Sequence, residues 1–100
     1  MIRTFDIHPA AQSEAEAAAR YYAKRNTLAA LAFVAELDTA VAEIERAPHS
    51  FGEYIHGTRR LLFRSFPFSV VYRFDEKQIL IVAIAHASRR PGYWAIRLSA

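Results

Sequence analysis

Seven consecutive apolar residues, Ile79 to Ala85, constrain this chain more than any other stretch. In a β-strand successive side chains alternate between faces, so Ile79, Ile81, Ala83 and Ala85 fall on one side and Leu80, Val82 and Ile84 on the other. A strand apolar on both sides belongs inside a sheet that is covered on both faces. The rest of the chain offers two helices, which cover one face. The other face is left to the C-terminal residues Tyr93, Trp94, Ile96 and Leu98, to a second copy, or to another protein.

The two helices are read from spacing and caps. Ile2 to His8 reads as a short strand, after which Pro9 opens a helix, since its missing N–H is harmless in the first turn. Ala11, Ala15, Ala18 and Tyr22 recur at helical spacing and define its packing face. Glu14 and Glu16 lie near its N-terminus and Lys24-Arg25 near its C-terminus, where the helix dipole favours each sign. Asn26-Thr27 breaks the helix and caps a second one, from about Leu28 to Ala47, with Leu31, Val34, Leu37, Val41 and Ile44 as the expected apolar stripe. The short connection makes the pair an antiparallel hairpin.

Three strands follow, at Arg59–Ser65, Phe68–Phe74 and Ile79–Ser88, the last two joined by the polar turn Asp75 to Gln78. The order β-α-α-β-β-β specifies an α+β domain of two layers, a helical hairpin on one face of a small, largely antiparallel sheet. With 100 residues, the chain makes a single domain over residues 1–100.

Charge is divided unevenly. Residues 1–50 hold five Lys/Arg against seven Asp/Glu, whereas residues 51–100 hold eight against three. The basic half is arginine except for Lys77, and the guanidinium fork suits carboxylates and phosphates. An anionic partner follows, either nucleic acid or an acidic protein segment. The chain has no cysteine, so it relies on neither disulfides nor thiolate metal sites. Its first residues lack the apolar core of a signal peptide and no apolar run reaches membrane-spanning length, which makes the cytoplasm the expected location and a membrane partner unexpected.

The histidines, His8, His49, His56 and His86, show no paired metal-ligand spacing, so no metal is expected. His86 and Ser88 would share a strand face, but no nearby acid orients the imidazole, and a local hydrogen bond is the simpler reading. No Gly-rich phosphate loop or other cofactor signature is present. Glu36, Asp38, Glu43 and Glu45 read as the solvated side of the second helix. The arginines carry more. Arg60 and Arg64 share one strand face with Arg59 opposite, Arg73 ends the next strand, and Arg89-Arg90 follow the last, beside Tyr93 and Trp94. Singly these are strand cations that discourage edge aggregation. As a group with His86, Tyr93 and Trp94 they form a candidate binding cluster, because arginine and aromatic residues dominate interaction hot spots.

The motifs in their order resemble toxins of the RelE/ParE family. An Ala/Glu-rich helix ends in Tyr21-Tyr22, and a second carries Phe33 to Asp38 and stops at Pro48. Arg59-Arg60, Phe66-Pro-Phe-Ser-Val-Val-Tyr-Arg73, Ile79 to Ile84 and His86-Ala-Ser-Arg-Arg90 follow. The resemblance implies a cytoplasmic toxin of a type II toxin–antitoxin pair, of the kind also described as plasmid stabilisation proteins, with a cognate antitoxin that wraps its surface. It leaves open a homodimer or a toxin–antitoxin hetero-oligomer.

Within that family RelE-like members cut mRNA on the ribosome and ParE-like members poison DNA gyrase. Metal-free RNA cleavage needs cations around the scissile phosphate and an acid–base pair. RelE-like sequences carry arginines where this chain has Ser69 and Ala87, while Tyr93 matches a C-terminal tyrosine of the ribonuclease members. The departures favour a ParE-like toxin without catalytic residues, whose Arg60, Arg64, Arg73, His86, Arg89, Arg90, Tyr93 and Trp94 contact target or antitoxin. The alternatives are a ribosome-dependent mRNA endonuclease using Tyr93, Arg64 and His86 or Arg89, and a non-toxic homologue that only binds antitoxin.

Overall fold

The computed structural model describes residues 2–99. A first strand, β1 (Thr4–Ile7), leads into α1 (Pro9–Ala23) and α2 (Thr27–Arg46). A 3-10 turn at Pro48–Ser50 precedes a two-residue strand β2 (Glu53–Tyr54), a second 3-10 turn, and then β3 (Thr58–Leu62), β4 (Phe68–Phe74) and β5 (Gln78–His86). A last 3-10 turn spans Ala95–Leu98. The sheet has five strands in the order β1-β5-β4-β3-β2. Only β1 pairs parallel, against β5; the remaining neighbours are antiparallel. The α+β reading therefore holds, with β2 added as an edge strand too short to show in a pattern.

Local chemistry sets the element boundaries. The His8 side chain accepts the Ala10 N–H, and Pro9 at the first helical position has no N–H to satisfy, so two of the first-turn positions of α1 leave no orphaned donor. Asn26 Oδ1 accepts the N–H groups of Leu28 and Ala29 and caps α2. Asp75 Oδ1 accepts the Lys77 and Gln78 N–H groups and closes the β4–β5 turn. At the far end of α2, the buried Tyr72 hydroxyl donates to the Pro48 carbonyl at 2.7 Å, and burial pushes that phenol up to about 12.

The core between helices and sheet is aromatic. Phe33 is fully buried and its ring lies 5.5 Å from Phe63, 5.4 Å from Phe66 and 5.2 Å from Phe68, with Tyr22 at 5.5 Å. Such offset and edge-on pairs add about 0.5–1.5 kcal/mol each beyond area burial. The expected stripe of α2 needs correction here. Phe33, Ala40 and Ile44 face the core, while Leu31 is 62% exposed and Val34 also faces outward. Two stripes a quarter-turn apart both fit a 3.6-residue period, and the large flat ring of Phe33 fills the space between α1 and the sheet better than Leu31 would.

Two strand readings are also corrected. The expected strand Arg59–Ser65 stops at Leu62; the Phe63 N–H still donates to Phe68 O, and beyond it the Arg64 and Ser65 N–H groups leave the sheet for the Glu36 carboxylate. In β5 the register shifts opposite Val71/Tyr72, where Val82 is the extra residue. This bulge returns Ile84 to the helical side with Ile79 and Ile81, and places Val82 and Ala83 together on the other side. Alternation read from sequence had put Ile84 with Leu80 and Val82.

The second face is covered by the chain itself. Trp94, 1% exposed, packs with Val71, Val82 and Ala83, and Tyr54, Leu80, Tyr93 and Leu98 border them. Ile96, expected to join them, is 81% exposed.

Candidate functional site

The end of β5 and the segment that follows carry the dense chemistry of this molecule. Among the described residues β5 has no neighbouring strand on its outer side past Ile81, because β1 ends at Ile7 and the His8 N–H makes the last bond, to Ile81 O. Side chains take over that open edge. Glu14 of α1 accepts the Ile84 N–H at 3.0 Å, and Arg97 donates to Val82 O at 3.1 Å. The two side chains also form a bidentate pair, both N···O distances 2.9 Å, and the Tyr93 hydroxyl donates to Glu14 at 2.6 Å.

The electrostatics follow from this geometry. Burial alone would push the Glu14 carboxyl up, but the Arg97 guanidinium, the Tyr93 hydroxyl and the Ile84 N–H together hold it below its ordinary value. Burial, then the hydrogen bond to Glu14, pushes the Tyr93 phenol up. The Glu14 hydrogen bond raises Arg97 against the opposing effect of burial. Tyr93 is therefore a fixed donor near neutral pH, and its hydroxyl is aimed at α1.

The residues after β5 form tight turns. Ala87 N–H still reaches Pro67 O, Arg89 N–H returns to His86 O, and Tyr93 N–H to Arg90 O. His86 Nδ1 accepts the Ser88 N–H and lies 2.8 Å from Ser88 Oγ. That is the expected local hydrogen bond, and among the described residues no carboxylate hydrogen-bonds to the ring. Gly92 is needed twice over. Its φ is +80°, and a Cβ would stand 3.1 Å from His56 Nε2. Arg89 lies over the Tyr93 ring, 3.8 Å from its centroid, a cation–π contact that holds the guanidinium at the surface.

The structure brings some of the sequence-selected cluster together and separates the rest. Arg60, Arg89, Arg90 and Tyr93 border one groove on the side of the sheet away from the helices, where Ser69 and Ala87 also lie, and His86 stands at its end with its ring edge-on to Phe68 of the helix-side core. Arg60 stacks on Tyr54 at 4.0 Å. Trp94 borders this groove from below, but its burial makes the ring core rather than contact surface. Arg64 lies elsewhere, in the turn after β3 beside α2, because β3 ends before it. Arg73 sits toward the opposite end, donating to Leu98 O.

Three residues of weight were missed from sequence: Glu14, Arg97 and Glu36. Glu14 was assigned to the helix dipole, yet it falls between Ala11 and Ala18 on the packing face, where a carboxylate requires a partner. Arg97 is the only cation in the apolar run from Tyr93 to Leu98, which was the matching signal. Glu36 was assigned to solvent but accepts the Arg64 and Ser65 N–H groups at the β3–β4 turn. Among the described residues no group of three or more His, Cys, Asp or Glu side chains is placed to hold a metal, and no helix is long and apolar enough to cross a membrane.

The family is decided by a match over residues 5–91 to the sequence model of the ParE toxin of the type II toxin–antitoxin system parDE. The chain belongs to the ParE toxin family. A solved chain from the chromosomal ParDE toxin–antitoxin system of P. aeruginosa is 22% identical, with a TM-score of 0.75, covering 87% of this chain and 98% of that one. That likeness shows the same fold. No curated protein matches the chain. The match begins inside β1 and runs past the Arg89-Arg90 turn, so Glu14, Arg60, Arg89 and Arg90 lie within it, while Tyr93, Trp94 and Arg97 lie just beyond.

Proposed function

We propose that this ParE-family toxin acts in the cytoplasm by binding an essential target, DNA gyrase, and that a cognate antitoxin neutralises it in a hetero-oligomeric complex. The observation that carries this reading is the composition of the groove on the side of the sheet away from the helices. It holds Arg60, Arg89 and Arg90, but Ser69 and Ala87 stand where RelE-like ribonucleases carry arginines. Transition-state stabilisation at a phosphate needs cations set around the scissile group. Tyr93, the matching ribonuclease tyrosine, spends its hydroxyl on Glu14, which supports recognition over acid–base work. Exposed Arg89 and Arg90 suit an acidic surface of the target or the antitoxin.

The test is to induce the chain alone in a bacterial host and follow DNA and protein synthesis separately by pulse labelling. Early loss of DNA synthesis with translation continuing is the expected result. Immediate translation arrest would favour the mRNA endonuclease, and unimpaired growth would favour a non-toxic antitoxin-binding homologue. Replacing Arg60, Arg89 and Arg90 together by Ser, leaving Trp94 in the core, should abolish toxicity while the fold survives. Retained toxicity would remove the groove from the target contact.

A further inference from the structure

The outer face of α2 is apolar toward its start and acidic further on. Leu28 is 75% exposed and Leu31 62%, with Val34 exposed beside them. Apolar side chains gathered on one exposed face mark a surface that meets another molecule. Leu28, Leu31, Ala35 and Asp38 follow one another along α2 at spacings of three, four and three residues, and all four are exposed. That spacing is the seam by which one helix packs along another, and the small side chain of Ala35 lets the backbones approach.

Charge along the hairpin is segregated about this patch. From Ala17 to Ala35 the chain carries three cations, Arg20, Lys24 and Arg25, and no acid; from Glu36 to Glu45 it carries four acids and no cation. Lys24, Arg25, Asp38 and Glu45 are exposed and take part in no ion pair among the described residues. A wholly acidic or wholly basic partner would meet its own sign at one end. A second copy laid antiparallel meets the opposite sign at both ends. With Leu31 on the two-fold axis, Leu28 faces Val34 of the second copy, and Asp38 faces its Lys24. A parallel arrangement would set like charges against each other.

We infer that the free chain associates with a second copy of itself through α2, the two helices running antiparallel about Leu31. Burial of Leu28, Leu31 and Val34 drives the association. The charged ends add little energy as exposed pairs, but they choose the direction. The contact is small, so the dissociation constant falls in the micromolar range, on the order of 10 µM. The cationic groove lies on the side of the sheet away from the helices, so a dimer joined at the helices leaves both copies of that groove open. The inference does not depend on which target the groove contacts.

Sedimentation equilibrium of the full chain, free of other proteins, tests this at about 0.1 mM, roughly tenfold above that constant. The expected result is twice the mass of one chain. Leu31→Glu changes an exposed position, so its circular dichroism should match the parent while it sediments as a monomer. Asp38→Lys and Lys24→Glu should each weaken association at least about threefold, and the two changes together should restore it. A parent chain that stays monomeric at that concentration overturns the inference and leaves the exposed face to the antitoxin. A dimer that survives Leu31→Glu overturns it too, since another surface then joins the copies. Failure of the double charge reversal to restore association overturns the antiparallel arrangement.

Discussion

Glu14 and Glu36 are both helix-borne carboxylates that reach backbone N–H groups of the sheet, one at each flank. Glu14 meets Ile84 N–H, and it also meets Arg97 and Tyr93 in a half-buried setting. Glu36 meets the Arg64 and Ser65 N–H groups at the β3–β4 turn, with no cation bridged to it among the described residues. The same chemical group thus serves two ends. At the turn it is a cap, which exchanges water for backbone donors and gains little beyond that. At the β5 edge it is the hub that ties α1, the bulged strand and the C-terminal segment together. The number and charge of the partners decide the difference.

Removing each carboxylate is the strongest way to sharpen this contrast. Glu14→Ala leaves Arg97 half-buried without its partner and orphans Ile84 N–H, so urea denaturation should show a loss of about 2–3 kcal/mol. Arg97→Ala should cost a similar amount, and the double variant much less than the sum, since both belong to one network. A loss below that of Glu36→Ala would break the comparison.

A second difference lies in pH. Because the folded-state pKa of Glu14 is lowered, its contribution is complete above its unfolded value and is lost as pH falls through the folded one. Denaturation midpoints should therefore drop on the acid side, below the ordinary carboxylate range, and Glu14→Gln should flatten that limb. The loss is smaller than in Glu14→Ala, since a protonated carboxyl keeps part of its hydrogen bonding. An unchanged acid limb in Glu14→Gln would remove Glu14 from the acid response.

Tyr93→Phe deletes one hydrogen bond to a charged acceptor and should cost about 1.5 kcal/mol, read from the same urea curves. Glu36→Ala should cost about 0.5–1 kcal/mol, the size of a lost cap, with added salt changing it little. Strong salt dependence there would mean that the carboxylate acts through charge after all.

Much of this was legible in the residues. Pro9, Asn26 and Asp75 announced element boundaries that the structure keeps, because caps and turns depend on neighbours in sequence. β4 occupies the span expected of it, Phe68–Phe74, since its alternation is flanked by a proline-containing turn and a polar one. The site was less legible. Arg60, Arg89, Arg90 and Tyr93 were picked out as a group and do border one groove, but Arg64 and Arg73 were grouped with them only by strand assignment. The stripe of α2 was right at Leu37 and Ile44, which pack into the core, and wrong at Leu31 and Val34, because helical periodicity is degenerate when alanines and valines surround one phenylalanine.

The sequence by itself determined that this chain builds a helical hairpin over a sheet, that its last strand is buried on both sides, and that its basic half is arginine. Periodicity, caps and composition act locally, so one chain read in order suffices for them. Tertiary structure alone decided that the tail of the chain covers the second face. It also decided that a bulge at Val82 turns Ile84 to the helices and that Glu14 meets Arg97 from 83 residues away. These depend on which surfaces meet after loops have closed. Desolvation then selects the partner for a buried charge, and no local pattern in the chain encodes that choice.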